Sequence, residues 1–66
     1  MFITVNGESH EHSGNGSITA LLGELGATPE HSAVTVNGEL IYSKNWPACR
    51  LSTGDKIEVL TFVGGG

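Results

Sequence analysis

Residues 17–26, Ser-Ile-Thr-Ala-Leu-Leu-Gly-Glu-Leu-Gly, carry the signals of a complete amphipathic helix. The serine can cap the first turn, because its hydroxyl accepts a hydrogen bond from an amide that has no partner in the helix. Apolar side chains recur at i, i+3, i+4 and i+7 along one face, at Ile18, Leu21, Leu22 and Leu25. Gly26 stands where a left-handed C-terminal cap belongs, and Pro29 follows shortly after it. Since Gly23 costs the helix about 1 kcal/mol relative to alanine, we expect the helix to depend on packing against a sheet.

A β-hairpin is predicted on each side of this helix. Each hairpin contains an Asn-Gly pair, Asn6-Gly7 in the first and Asn37-Gly38 in the second. This pair favours a type I′ turn, because both residues tolerate the positive φ that the turn requires. The predicted strands are residues 1–5, 8–12, 33–36, 39–42 and, after a turn at 53–55, residues 56–63.

A helix with one apolar face must cover an apolar sheet, which predicts a two-layer α+β domain. We expect a mixed sheet of four to five strands, with one main helix across one face. The domain would comprise residues 1–63, followed by a flexible glycine tail at 64–66. The order of hairpin, helix, hairpin and strand resembles the ubiquitin-like β-grasp fold. That resemblance implies that the first and last strands pair in parallel at the centre of the sheet.

Composition excludes several classes of protein. A chain of 66 residues has room for one domain, and its single cysteine, Cys49, excludes a domain stapled by internal disulfides. The N-terminus lacks the basic and apolar regions of a signal peptide, and no apolar run approaches the ~20 residues of a membrane helix. We therefore expect a cytoplasmic protein without a membrane segment. The net charge of −4, with only three basic residues, argues against a nucleic-acid partner.

The end of the sequence carries the chemical prediction. A predicted strand runs directly into Gly64-Gly65-Gly66. Glycine has no Cβ, so such a tail can enter a narrow channel, and three residues reach about 10 Å. The terminal carboxylate could thus enter the active site of another enzyme. Activation as an acyl-adenylate would make it reactive towards a sulfur donor.

The whole chain resembles the ThiS family, the sulfur-carrier proteins of thiamine biosynthesis. The resemblance rests on the Asn6-Gly7 turn, the capped helix at 18–25, residues 33–38, the Trp46 stretch, residues 54–57 and the ending at 63–66. It implies a protein co-substrate that is not itself an enzyme and binds no cofactor. A ThiF-type, E1-like activating enzyme would use ATP to adenylate the carboxylate of Gly66, which would then become a thiocarboxylate.

The same resemblance implies that a ThiG-type thiazole synthase receives the sulfur. Gly65 would complete the Gly-Gly motif, Gly64 would extend the tail, and the free carrier would be a monomer. Two alternatives stay open. The chain could be the small subunit of molybdopterin synthase or a carrier for another pathway, or it could be a ubiquitin-like modifier or interaction module.

The outward face of the last strand suggests where a partner docks. With Ile57, Val59, Thr61 and Val63 facing the helix, the opposite face carries Lys56, Glu58, Leu60 and Phe62. That face changes from charged to apolar as it approaches the tail. We predict that Leu60 and Phe62 form a docking patch; the alternative is that they pack beneath a loop or against Trp46.

For the other residues whose side chains could bind a metal or react, we predict structural roles. His10 and His12 share one face of a strand, but nothing in the sequence completes a metal site, so we expect an exposed polar strand. Cys49 has no predicted base beside it, and we assign it no catalytic role. We expect Trp46 and Tyr42 to cover one end of the core, with their polar atoms at the surface.

Overall fold

The computed structural model describes residues 1–62, which form one five-stranded mixed sheet with a single α-helix. The elements are β1 (Phe2–Val5), β2 (Glu8–Glu11), α1 (Ile18–Leu25), β3 (Ser32–Val36), β4 (Glu39–Ile41) and β5 (Lys56–Thr61), with 3-10 segments at Pro29–His31 and Ser43–Ala48. The strand order is β2-β1-β5-β3-β4. β1 and β5 pair in parallel, and the other neighbours are antiparallel. The predicted β-grasp architecture is confirmed, with the first and last strands paired near the centre of the sheet.

Both Asn-Gly pairs form the tight turns that the sequence predicts. Asn6 and Asn37 have φ values of 51° and 52°, and the glycines that follow have φ values of 84° and 86°. Positive φ at both central positions is the requirement of a type I′ turn, whose twist matches that of the flanking strands. The turns therefore set the registers of the β1–β2 and β3–β4 hairpins.

The helix begins and ends where its sequence signals stand. Ser17 Oγ accepts a hydrogen bond from the Ala20 amide at 3.1 Å, and Gly26 adopts the left-handed conformation at φ 72°. Three of the four residues in the predicted stripe are fully buried: Ile18, Leu21 and Leu22. Leu25, the fourth, is 36% exposed and lies at the margin of the core.

The core lies between α1 and the inner face of the sheet. Its sheet residues are Ile3, Val5, Val34, Ile57 and Val59, and the segment between β4 and β5 adds Trp46 and Leu51. No helix within residues 1–62 is long and apolar enough to cross a membrane.

The structure corrects three expectations at the edges of the core. Thr61, which is predicted to face the helix, is exposed, and Val59 is the last buried residue of β5. Tyr42 is 62% exposed and does not cover the core. Trp46 is buried, and its indole Nε1 donates to the Ile41 carbonyl at 3.0 Å, so its polar atom is bonded within the fold. The predicted continuation of β5 to Val63 lies outside the described residues.

Candidate functional site

The predicted reactive residue, Gly66, and its neighbours Gly64 and Gly65 lie outside the described residues. The structure describes the strand that leads to them. β5 lies between β1 and β3, and it carries two core residues, Ile57 and Val59. The chain segment next to the predicted tail is therefore part of the centre of the sheet.

Leu60 and Phe62 are both solvent-exposed, as their predicted docking role requires. Their exposed fractions are 64% and 57%. Side chains exposed to this extent are not covered by a loop, and Trp46 is buried in the core cluster, to which neither of them belongs. The alternative interpretation, that the two residues pack within the fold, is wrong. Their docking role stays a prediction.

Neighbouring strands extend the apolar surface around Leu60. Ala33 of β3 is its cross-strand partner, and Leu40 of β4 lies opposite Thr35, next to that pair. Leu40 is 47% exposed. Leu60, Ala33 and Leu40 line one shallow depression on the outer face of the sheet. We call Ala33, Leu40, Leu60 and Phe62 the apolar patch.

The apolar patch has an acidic residue at its margin. Glu58 lines the same depression, and its carboxylate accepts a hydrogen bond from Thr35 Oγ1 at 3.1 Å. The side chains along the outer face of β5 thus change from Lys56 and Glu58 to Leu60 and Phe62, in the order predicted from the sequence. An apolar surface with an acidic margin fits a partner with an apolar surface and basic residues beside it.

Strand pairing extends further along β5 on its β3 edge than on its β1 edge. On the β3 side, strand pairing continues to Thr61, and the Phe62 amide donates to the His31 carbonyl. On the β1 side, strand pairing ends at Val5 and Ile57. Beyond that point the Asn6 side chain bonds to the backbone of Val59. Sequence reasoning assigned Asn6 only a turn role and missed this contact.

The two histidines of the first hairpin form a cluster with Glu24 of α1. One carboxylate oxygen, Oε1, lies 2.9 Å from His10 Nε2 and 3.0 Å from His12 Nδ1. The other oxygen, Oε2, accepts from the backbone amide and the hydroxyl of Ser13. Hydrogen bonds from His10 and then His12 lower the pKa of Glu24 from 4.5 to about 2.

The geometry of this cluster indicates a structural role, because its hydrogen bonds join the first hairpin to α1. His12 is buried, and its Nε2 accepts the Gly16 amide at 2.9 Å, so the ring proton must sit on Nδ1 facing Glu24. A metal at Nδ1 would move that proton to Nε2, against the Gly16 amide. Among residues 1–62 no three acidic, histidine or cysteine side chains are arranged to hold a metal ion. The expectation of an exposed polar strand is wrong at His12.

Comparisons with known proteins agree with this architecture. The sequence model that describes the ThiS family matches residues 3–66 of this chain. A thiazole synthase of Paramagnetospirillum magneticum is 36% identical over all 66 residues of this chain, and one of Magnetococcus marinus is 38% identical over the same span. The chain spans about a fifth of the length of these relatives, 20% in each case.

With a solved structure the match extends over the whole length of both proteins. The crystal structure of the thiamine biosynthesis protein ThiS from Geobacter metallireducens superposes with a TM-score of 0.80 at 36% identity, and the match covers 100% of both chains. The family model, the sequence relatives and the superposed fold agree with one another. The chain belongs to the ThiS family.

Proposed function

We propose that this chain is a sulfur carrier of thiamine biosynthesis, and that the carboxylate of Gly66 carries the sulfur. The observation that supports this most directly is the family match, which runs through the final glycines to residue 66. The described structure adds a central strand and an exposed apolar patch beside it. The chain would act as a protein co-substrate, and the catalytic groups would belong to its partners.

The chemistry proceeds in two steps at the terminal carboxyl group. An oxygen of the Gly66 carboxylate attacks the α-phosphorus of ATP, which releases pyrophosphate and leaves an acyl-adenylate. A sulfur nucleophile then attacks the acyl carbon, and AMP departs with the bridging oxygen. The product is a thiocarboxylate in which sulfur replaces one oxygen. Adenylation is needed because the charge of a free carboxylate repels nucleophiles, whereas the acyl-adenylate is neutral at the reacting carbon.

Two partners follow from this scheme. A ThiF-type, E1-like enzyme would bind ATP and perform the adenylation, so the carrier itself needs no bound cofactor. A ThiG-type thiazole synthase would then accept the sulfur. The second partner is supported by the relatives named thiazole synthase, in which a stretch similar to this whole chain occupies about a fifth of the polypeptide. We place both reactions in the cytoplasm and expect the free carrier to be a monomer.

The test is the intact mass of the chain after incubation with a ThiF-type enzyme, ATP and sulfide. We expect a gain equal to the replacement of one oxygen by one sulfur. A variant with one residue added after Gly66 is the matched control and should not react, because its terminal carboxylate is displaced and no longer belongs to the glycine motif. The Geobacter metallireducens ThiS protein serves as the positive control.

Three outcomes would overturn the proposal. The first is no mass change in this chain under conditions that convert the positive control. The second is full conversion of the extended variant. The third is attachment of the chain to other proteins through its C-terminus, which would indicate a modifier. Stable co-purification with one large subunit would favour the molybdopterin synthase alternative.

A further inference from the structure

The two Asn-Gly turns have the same backbone geometry, but their asparagine side chains bond to different points along β5. Asn37 contacts the beginning of the strand, where its Oδ1 accepts the Lys56 amide at 2.9 Å and its Nδ2 donates to Asp55 Oδ1 at 3.0 Å. Asn6 contacts the strand further along. Its Oδ1 accepts the Val59 amide at 2.9 Å, and its Nδ2 donates to the Val59 carbonyl at 3.3 Å.

Asn6 takes the place of a strand residue beside β5. Its backbone amide donates to the Ile57 carbonyl at 2.9 Å, which completes the ladder with β1. The chain then turns away at Gly7, so a backbone partner for Val59 is missing on that edge. The side-chain amide supplies one donor and one acceptor in its place, as a peptide group would. We call the two Asn6–Val59 hydrogen bonds the Asn6 clamp.

The Asn6 clamp determines how much of the strand is held on both edges. Up to Val59, β5 is bonded on the β1 side and on the β3 side. Beyond Val59, β5 remains paired with β3 as far as Thr61, and the Phe62 amide donates to the His31 carbonyl. Val59, the last residue of β5 that is bonded on the β1 side, therefore directly precedes Leu60, the first apolar residue on the outer face of β5.

We propose that Asn6 is a positioning residue for the carrier reaction, acting through its clamp on Val59. This inference rests on the function proposed above. The clamp fixes the direction of β5 at Val59, so that Leu60 and Phe62 meet a partner in a defined orientation. Without the clamp, two backbone groups of Val59 lose their partners and the strand end opens more often. Docking must then reorder it, and apparent affinity falls.

The test compares Asn6→Gly with Asn37→Gly. Glycine adopts positive φ without strain, so both variants keep the turn and lose only the side-chain amide. Asn37→Gly is the matched control, since it removes an equivalent amide that contacts the beginning of the same strand. Asn6→Asp is the conservative variant, because its carboxylate still accepts the Val59 amide but cannot donate to the carbonyl.

Two measurements are made on each variant: hydrogen exchange of the Val59 amide, and the KM and kcat for thiocarboxylate formation by the activating enzyme. For Asn6→Gly we expect faster Val59 exchange than global unfolding explains, and KM raised about 3- to 10-fold with kcat nearly unchanged. Asn37→Gly should leave both quantities near the wild-type values after correction for stability. Asn6→Asp should fall between the wild type and Asn6→Gly.

Each failure points to a different error. Unchanged Val59 exchange in Asn6→Gly would show that the clamp does not hold the strand. Equal increases of KM in Asn6→Gly and Asn37→Gly would show that only global stability matters. A wild-type chain that gains no sulfur would overturn the proposed function and the positioning role together, while the exchange data would still report whether the clamp exists.

Discussion

The docking role of Phe62 can be tested against a second phenylalanine of almost equal exposure. Phe62 is 57% exposed and Phe2 is 58% exposed. Phe2 lies at the other end of the sheet, where its carbonyl accepts the Gly54 amide just before β5 begins. Phe62→Ala and Phe2→Ala therefore remove the same side chain from similarly exposed positions, and only one of them is next to the tail.

The expected magnitude follows from the exposed fraction of Phe62. Full burial of a phenylalanine side chain contributes about 1.5–3 kcal/mol, so burying the remaining 57% on a partner contributes roughly 0.9–1.7 kcal/mol. A difference of 1.4 kcal/mol is about tenfold in affinity. Phe62→Ala should therefore raise the KM for the activating enzyme roughly 4- to 18-fold, whereas Phe2→Ala should change it less than about twofold.

Rates of thiocarboxylate formation over a range of carrier concentrations give the KM, and thermal unfolding of each variant reports the fold. Both variants should unfold within a few degrees of the wild type, because exposed substitutions change stability by about 0.5 kcal/mol or less. Equal KM values for the two variants would refute the docking assignment. A large loss of stability in Phe62→Ala alone would show that Phe62 packs within the fold.

The helix face and the histidine cluster give two further predictions. Leu22→Ala should lower the free energy of unfolding by about 2–5 kcal/mol in denaturant unfolding, because Leu22 is fully buried. Leu25→Ala should lower it clearly less, because Leu25 is 36% exposed. Equal losses in the two variants would mean that the core is misplaced. The folded-state pKa of Glu24 is about 2 against an ordinary 4.5, so its contribution to stability is complete above pH 4.5 and is lost as pH falls towards 2. Glu24→Gln should therefore be less stable than wild type at neutral pH and approach it near pH 2; a difference that does not depend on pH would contradict the lowered pKa.

Local signals predicted the helix and the turns, because their causes lie within a few residues of the chain. Ser17 caps the helix, Gly26 ends it, and the positive φ of Asn6 and Asn37 follows from the turn type. The parallel pairing of β1 with β5 has no local cause. It joins residues such as Val5 and Ile57, which lie far apart in the chain, and only the resemblance to a known fold predicted it.

The burial of His12 shows what a residue-by-residue reading misses. In the sequence, His12 is the last residue of a predicted polar strand, and the neighbouring glycines indicate only a loop. In the structure that loop packs against the ring, where a Cβ on Gly14 would lie 2.8 Å from His12 Cε1 and 3.0 Å from Ala20 Cβ. The absence of a side chain at Gly14 allows this approach, and Glu24 of α1 then accepts a hydrogen bond from His12 Nδ1. Burial depended on a contact between the loop and the helix that spacing does not encode.

The central position of β5 has a mechanical consequence for a carrier. A partner that draws the C-terminus into its active site pulls on the strand that precedes it. A strand at the edge of a sheet is bonded on one side only, so it would open readily and part of the docking free energy would be lost in melting it. Here β5 has a neighbouring strand on each edge, Ile57 and Val59 are buried, and their backbone groups bond to Asn6 on the β1 side. The strand is thus held on both of its edges as far as Val59, and Leu60 of the apolar patch follows directly after that point.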